Sequence, residues 1–240
     1  MPKYRIDLHT HSHYSVDGVS DPYAMVESAR AKGLAGFVLT DHDTCRGVDF
    51  FLGEGLMRED GIPVDDFLII PGQEVSTWEG HVLAIGVRLE SQPGIHCEEL
   101  VEMVHGLGGL CVAAHPFDPA RRGVGKNVLD EVAFDGIEVF NAASWFPGLN
   151  GRAFRYAKKH NSVMTAGSDS HHPDALGRAH MILELPELQR SLVLDAIKRG
   201  KGQREERLLR PIDYVIKNWY NIVRPKVPDA ESNCERVLES

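Results

Sequence analysis

The chemistry of this chain starts with the run Asp7-Leu8-His9-Thr10-His11-Ser12-His13-Tyr14-Ser15-Val16-Asp17-Gly18. His9 and His11 follow the stretch Tyr4–Leu8, which reads as a strand. Side chains two apart in a strand share a face, so these imidazoles can aim at one point. Imidazole is the commonest metal ligand near neutral pH, and a same-facing pair predicts a metal held at a strand end. The pair alone is a weak signal. Further donors recur in the same kind of place. Val38-Leu39-Thr40 leads into Asp41-His42, and Leu68-Ile69-Ile70 into Pro71-Gly72-Gln73-Glu74. His81 opens an apolar run, Ala114 leads into His115-Pro116, Phe140 into Asn141, and Ser168 into Asp169-Ser170-His171. Singly, these have ordinary explanations: a loop turn for Asp41-His42, a strand terminator for His115-Pro116, a helix cap for Asp169. Chance would scatter them, whereas they load the ends of successive apolar runs. Together they predict one metal site.

The elements that must position these donors alternate. Strands are expected at Arg5–Leu8, Gly36–Leu39, Phe67–Ile70, Val82–Val87, Leu110–Ala114, Gly136–Phe140 and Val163–Ala166, followed by Met181–Leu185. Helices are expected at Pro22–Lys32, Gly47–Glu59, Glu98–Gly106, Val128–Ala133, Leu149–His160 and Leu188–Lys198. Asp21-Pro22 caps the first helix and Gly33 stops it. Val-, Ile- and Leu-rich strands alternating with helices predict an α/β fold with a parallel sheet covered by helices. About seven such repeats fit a barrel, whose active site is assembled at the carboxyl ends of its strands. Residues 1–200 would form this barrel and 201–240 an extension. The extension reads as a charged linker (Lys201–Arg207), an amphipathic helix over Pro211–Val223 and a mobile tail after Pro228. The apolar face of that helix (Ile212, Val215, Ile216, Trp219, Ile222, Val223) would pack on the barrel or on a partner subunit.

Bulk composition narrows the function classes. With 35 acidic and 26 basic residues, net charge −9, the chain is a poor candidate for wrapping nucleic acid through a broad basic surface. No apolar run approaches the roughly 18 residues of a membrane span, and the start lacks a signal-peptide core, so no membrane partner is expected. Four scattered cysteines, none in a Cys-x-x-Cys pair, fit a reducing cytoplasm.

The ordered set His9-x-His11-x-x-x-Ser15 with Asp17-Gly18, Thr40-Asp41-His42, Gly72-Gln73-Glu74, His81, Ala114-His115-Pro116 and Gly167-Ser168-Asp169-Ser170-His171 resembles the polymerase and histidinol phosphatase (PHP) family. The resemblance implies a distorted seven-stranded (β/α)7 TIM-like barrel and phosphoester hydrolysis at a cluster of two or three divalent metal ions. Carried over by motif, the metal ligands would be His9, His11, Asp17, His42, Glu74, His81, His115, Asp169 and His171, with Glu74, Asp169 and His171 marked as catalytic. His9, His11 and Asp169 would hold one metal, with Glu74 bridging to a second held by His81 and His115. Asp17, His42 and His171 would hold the third. Mixed imidazole and carboxylate ligands suit zinc, manganese or iron. Asp41 would orient His42 or a neighbouring ligand.

The expected reaction is attack by a metal-bound hydroxide on a phosphate monoester or terminal phosphodiester. The substrate would be a small phosphorylated metabolite, a nucleotide or an oligonucleotide end. Arg121, Arg122 and Lys126 follow His115 on the active-site side and could bind phosphate, as could Arg178; the alternative is a solvated loop. Asn141 would hydrogen-bond substrate or a ligand, and His13 or His172 could protonate a leaving group. Trp145 could stack on a base, line the cleft or fill a core or subunit contact. Between His81 and His115 there is only one strand and one helix, without the substrate-covering insertion of some members, so an open cleft is expected. Two other readings stand beside this one: a metallo-hydrolase of C–N or C–O bonds on a similar barrel, and a non-catalytic metal-binding module.

Overall fold

The structure is a computed structural model, described for residues 1–92, 94–146 and 148–223. A nine-stranded sheet runs through it: β1 (Lys3–Thr10), β2 (Gly36–Leu39), β3 (Leu68–Ser76), β4 (His81–Ile85), β5 (Leu110–Ala113), β6 (Gly136–Asn141), β7 (Met164–Gly167), β8 (Ala179–Glu184) and β9 (Gln203–Glu206). The helices are α1 (Pro22–Ala31), α2 (Arg46–Gly53), α3 (Cys97–Gly106), α4 (Gly125–Glu131), α5 (Leu149–His160), α6 (Arg190–Lys198) and α7 (Pro211–Val223). The sheet order is β7-β6-β5-β4-β3-β2-β1-β8-β9. Its two halves approach one another where Asp169 N–H donates to the His9 carbonyl at 2.8 Å and His11 N–H to the Ser170 carbonyl at 2.8 Å. The result is a nearly closed barrel of β1–β7.

The sheet is mixed, not parallel throughout. β1, β2 and β3 run parallel, as do β5, β6 and β7, but β4 is antiparallel to both its neighbours, and β8 and β9 continue antiparallel beyond β1. Only four residues separate β3 from β4, enough for a hairpin and too few for a parallel crossover. The expected linker at Lys201–Arg207 instead contains β9, whose ladder on β8 is a tertiary contact that a charged sequence does not advertise. The second helix is also shorter than expected, ending at Gly53.

Alternation divides the core. Leu68, Ile70, Leu83, Ile85, Leu110 and Val112 fill the barrel interior, while Phe37, Leu39 and Ile69 face outward onto α1 and α2. On α7 the apolar face does not pack on the barrel, which leaves a subunit contact as the other expectation for it. Ile212, Val215, Trp219 and Ile222 are exposed, and Asp213 is buried against the barrel. The tail after Pro228 lies outside the described residues. No described helix is long and apolar enough to cross a membrane.

Candidate metal centre

Glu74 joins the cluster together. It is almost fully buried, and its two oxygens face different histidines. Oε2 lies 3.0 Å from His9 Nε2, 3.2 Å from His11 Nε2 and 3.3 Å from His42 Nε2. Oε1 lies 2.9 Å from His81 Nδ1 and 2.9 Å from His115 Nε2. Asp169 Oδ1 is 3.6 Å from His9 Nε2, 3.3 Å from His11 Nε2 and 3.5 Å from His171 Nδ1. Asp17 approaches His171 Nε2 at 2.8 Å and His42 Nε2 at 3.9 Å. All nine side chains singled out in the sequence converge here.

Among the described residues, three groups of donors each have their ligand atoms within 4.8 Å of one another: His9, His11, Glu74 and Asp169; His11, Asp17, His42 and His171; and His42, Glu74 and His81. The first contains His9, His11 and Asp169, and the second contains Asp17, His42 and His171 with His11 added. The third takes in His42 and not His115, although His115 Nε2 also lies 2.9 Å from Glu74 Oε1.

Two local devices aim these residues. The register of β1 on β2 gains a residue between Asp7↔Phe37 and Thr10↔Leu39, a bulge. Leu8 belongs to the interior core, so strict alternation would turn His9 outward; the extra residue resets the parity and brings His9 and His11 inside. The second device is backbone strain. His115 and Asp169 have φ of 30° and 51°, values costly for non-glycine residues (about 1–3 kcal/mol each) and frequent at functional sites. Each is separated from a strand end by one residue, Ala114 or Ser168, and the left-handed turn re-aims the side chain. His81 needs neither: β4 runs in reverse, so its first residue already lies at this end. Gly167 is demanded by proximity, since a Cβ there would meet His9 Cβ at 2.4 Å.

Beneath the donors lies a row of buried carboxylates and amides. Glu138, which the sequence reading passed over, accepts from His9 Nδ1 at 3.0 Å, from the His115 backbone N–H at 2.9 Å and from Asn141 Nδ2 at 3.0 Å. Its only signal was a lone carboxylate inside the apolar run Gly136–Phe140. Asn141 also donates to Asp169 Oδ2 at 3.1 Å, so it holds a donor of the cluster. Asp41 accepts from the Ser12 N–H and hydroxyl, both at 2.6 Å, and so fixes the turn after His11 rather than the His42 ring. Asp7 ties β1 to β7 by accepting from the Ser168 N–H at 2.9 Å.

Of the cations expected near substrate, Arg121 enters the site and pairs with Asp169. The other three are directed elsewhere. Arg122 donates to the Thr77 carbonyl at 3.0 Å, Lys126 pairs with Asp130 one helical turn on, and Arg178 donates to the Leu208 carbonyl at 2.9 Å. A flexible basic side chain follows its nearest acceptor, and sequence does not show which acceptor that is. His172 faces Asp213 on α7 at 3.9 Å.

The electrostatics fit a cation site. Burial lowers the His9 pKa, but Asp169, Glu138 and Glu74 outweigh it and leave this histidine well above its ordinary value. Burial raises Glu74, but His42 and His9, with hydrogen bonds from His11 and His115, hold it well below the carboxylate range. Asp169 is likewise held low, against burial, by Arg121, His9, His11 and His171. His81 Nδ1 is buried without a hydrogen-bond partner although Glu74 Oε1 is 2.9 Å away. An imidazole nitrogen facing a carboxylate off the hydrogen-bonding direction suits a shared metal, and imidazole with carboxylate suits zinc, manganese or iron.

The same charges carry a pH prediction. Burial lowers His11, but hydrogen bonds to Asp169 and Glu74 raise it from 6.5 to about 9. A group raised on folding contributes stability fully below its unfolded pKa and loses it as pH climbs through the folded one. Metal-stripped protein is therefore expected to lose thermal stability between pH 6.5 and about 9. Metal-loaded protein should show the opposite trend, because metal and protons compete for the same nitrogens. Melting curves of both forms test this, and a flat or rising Tm for the stripped form would contradict it.

Comparison with known proteins agrees with this architecture. The family model described as PHP domain matches residues 7–134, and one described as PHP-associated matches residues 147–201. An uncharacterized protein of Methanocaldococcus jannaschii is 32% identical over 149 residues, 58% of this chain and 82% of that one. A 5'-3' exoribonuclease of Haemophilus influenzae is 42% identical over 82 residues, 34% of this chain and 27% of its own. The crystal structure of PsfC from Pseudomonas syringae superposes with a TM-score of 0.70 at 22% identity, covering 92% of this chain and 99% of PsfC. The matched segment contains the donors from His9 to His115 in order, and with it more than half the chain is accounted for: this protein belongs to the PHP domain family.

Proposed function

We propose that this chain is a metal-dependent phosphoesterase that hydrolyses a phosphate monoester or a terminal phosphodiester. The observation that carries the reading is Glu74, whose two carboxylate oxygens face two separate sets of histidines in a buried cluster. His9, His11 and Asp169 would hold one ion, Glu74 would bridge to a second held by His81 and His115, and Asp17, His42 and His171 would hold a third. Divalent ions bound there supply charge neutralisation for phosphate oxygens and acidify water at neutral pH.

The protein's own groups do the positioning. Glu138 keeps His9 turned by accepting from Nδ1, leaving Nε2 toward the cluster. Asn141 holds Asp169, and the Arg121 guanidinium beside it is placed to take a phosphate oxygen. Phosphoryl transfer is mostly positioning and electrostatic compensation, so such a site needs no serine or cysteine nucleophile. Likeness to a 5'-3' exoribonuclease supports including nucleotides and strand ends among the candidate substrates.

The test is phosphate release by protein reconstituted with zinc, manganese or iron, against phosphomonoesters, nucleotides and short oligonucleotides. Turnover that chelator abolishes and metal restores is the expected result. Silence across the panel with every metal would overturn the proposal.

A further inference from the structure

Two aromatic rings from different parts of the chain meet beside the metal centre. Trp145 follows the turn in which Ser144 N–H donates to the Asn141 carbonyl at 3.3 Å, and Asn141 is the residue that holds Asp169. Tyr214 lies in the first turn of α7. That turn is anchored on the same rim: Leu209 N–H donates to the Ala142 carbonyl at 2.8 Å, and buried Asp213 faces His172, the neighbour of His171. The Trp145 and Tyr214 ring centroids are 3.9 Å apart at an interplanar angle of 50°. Burial raises the Tyr214 phenol, and the site charges act on it with opposite signs, Arg121 lowering it and Asp169 raising it.

A pair whose only task was to pack α7 would cover its ring faces. Here Trp145 stays 62% exposed, with Phe146 exposed next to it. An open indole backed by a second ring, following the turn at Asn141, which holds Asp169 and so adjoins Arg121, matches a ligand that carries a flat π-face and a phosphate together.

Resting on the phosphoesterase reading above, we propose that Trp145, supported by Tyr214, is the stacking platform for a nucleobase whose phosphate is held at Arg121 and the metal centre. The ligand class is a nucleoside phosphate, either free or at the end of a single strand.

Manganese-loaded full-length protein tests this, with Kd read calorimetrically for every ligand and variant, and with indole fluorescence of the parent followed in a stopped flow before turnover. Adenosine 5'-monophosphate is compared with ribose 5-phosphate, which has the same phosphate and no base. Stacking predicts quenching and a Kd lower for the nucleotide by roughly 5- to 150-fold. Trp145→Ala should abolish the affinity difference while leaving the calorimetric Kd of ribose 5-phosphate unchanged, and Trp145→Phe should restore most of the difference. Because Trp145 is exposed, both variants should keep the parent Tm. A 5'-phosphorylated adenosine dinucleotide separates the two sources. Tighter binding than the mononucleotide points to a strand end, and equal binding to a free nucleotide. Equal affinity for mononucleotide and ribose 5-phosphate, or a difference that survives Trp145→Ala, overturns the platform. If the substrate panel still releases phosphate, the phosphoesterase reading stands without it. Failure of every ligand to bind, with no phosphate release, overturns both.

Discussion

Glu74→Gln is expected to empty at least one metal position and to lower kcat/KM roughly a thousand-fold, the loss of several kcal/mol of electrostatic stabilisation. The amide keeps the shape of the side chain but not its charge, and only one of its ends can accept. In the native site both oxygens are committed, Oε2 toward His9, His11 and His42, and Oε1 toward His81 and His115. A glutamine must turn its NH2 toward one of these sets. Metal content per chain and kcat/KM measured on one preparation check the expectation. Full metal occupancy in the variant would show that Glu74 does not join the sites.

Glu138→Gln should weaken metal affinity about ten- to a hundred-fold while every proposed ligand remains in place. Glu138 accepts at once from His9 Nδ1, the His115 N–H and Asn141 Nδ2, and it is buried. With an amide there, an NH2 group meets a donor on one side, and the His9 ring or the His115 loop must give way. A titration against a competing chelator reads the effect directly. Affinity equal to the parent would mean that the His9 ring is held by its packing alone. As a positioning residue, Glu138 should also shift the pH dependence of metal uptake, because it sets which His9 nitrogen carries the proton.

The two variants differ in how visible their targets are in the sequence. Glu74 stands after an apolar strand in company with other donors, and its parity follows Leu68 and Ile70 without interruption. Glu138 sits inside a strand, where one charged residue resembles a solvent-facing position until the neighbouring strands are known. Arg121 and Arg122 are adjacent and chemically alike, yet one reaches Asp169 and the other the Thr77 carbonyl. What separates them is the left-handed turn at Arg122, with φ of 53°. Such a turn depends on the loop's closure over β4, where His81 N–H donates to the Arg122 carbonyl at 2.9 Å.

Residue types and their order were therefore determined by the sequence alone: imidazoles and carboxylates at successive strand ends, helices between them, and enough donors for more than one ion. Covalent order and hydrophobic period are local properties, readable without coordinates. The tertiary structure decided the facing. An extra residue in β1 turns His9 inward against the alternation, left-handed backbone re-aims His115 and Asp169, and a reversed β4 delivers His81 from its first residue. Each of these depends on hydrogen bonds to a partner strand or loop distant in sequence, and a strand's parity is set only when it is paired.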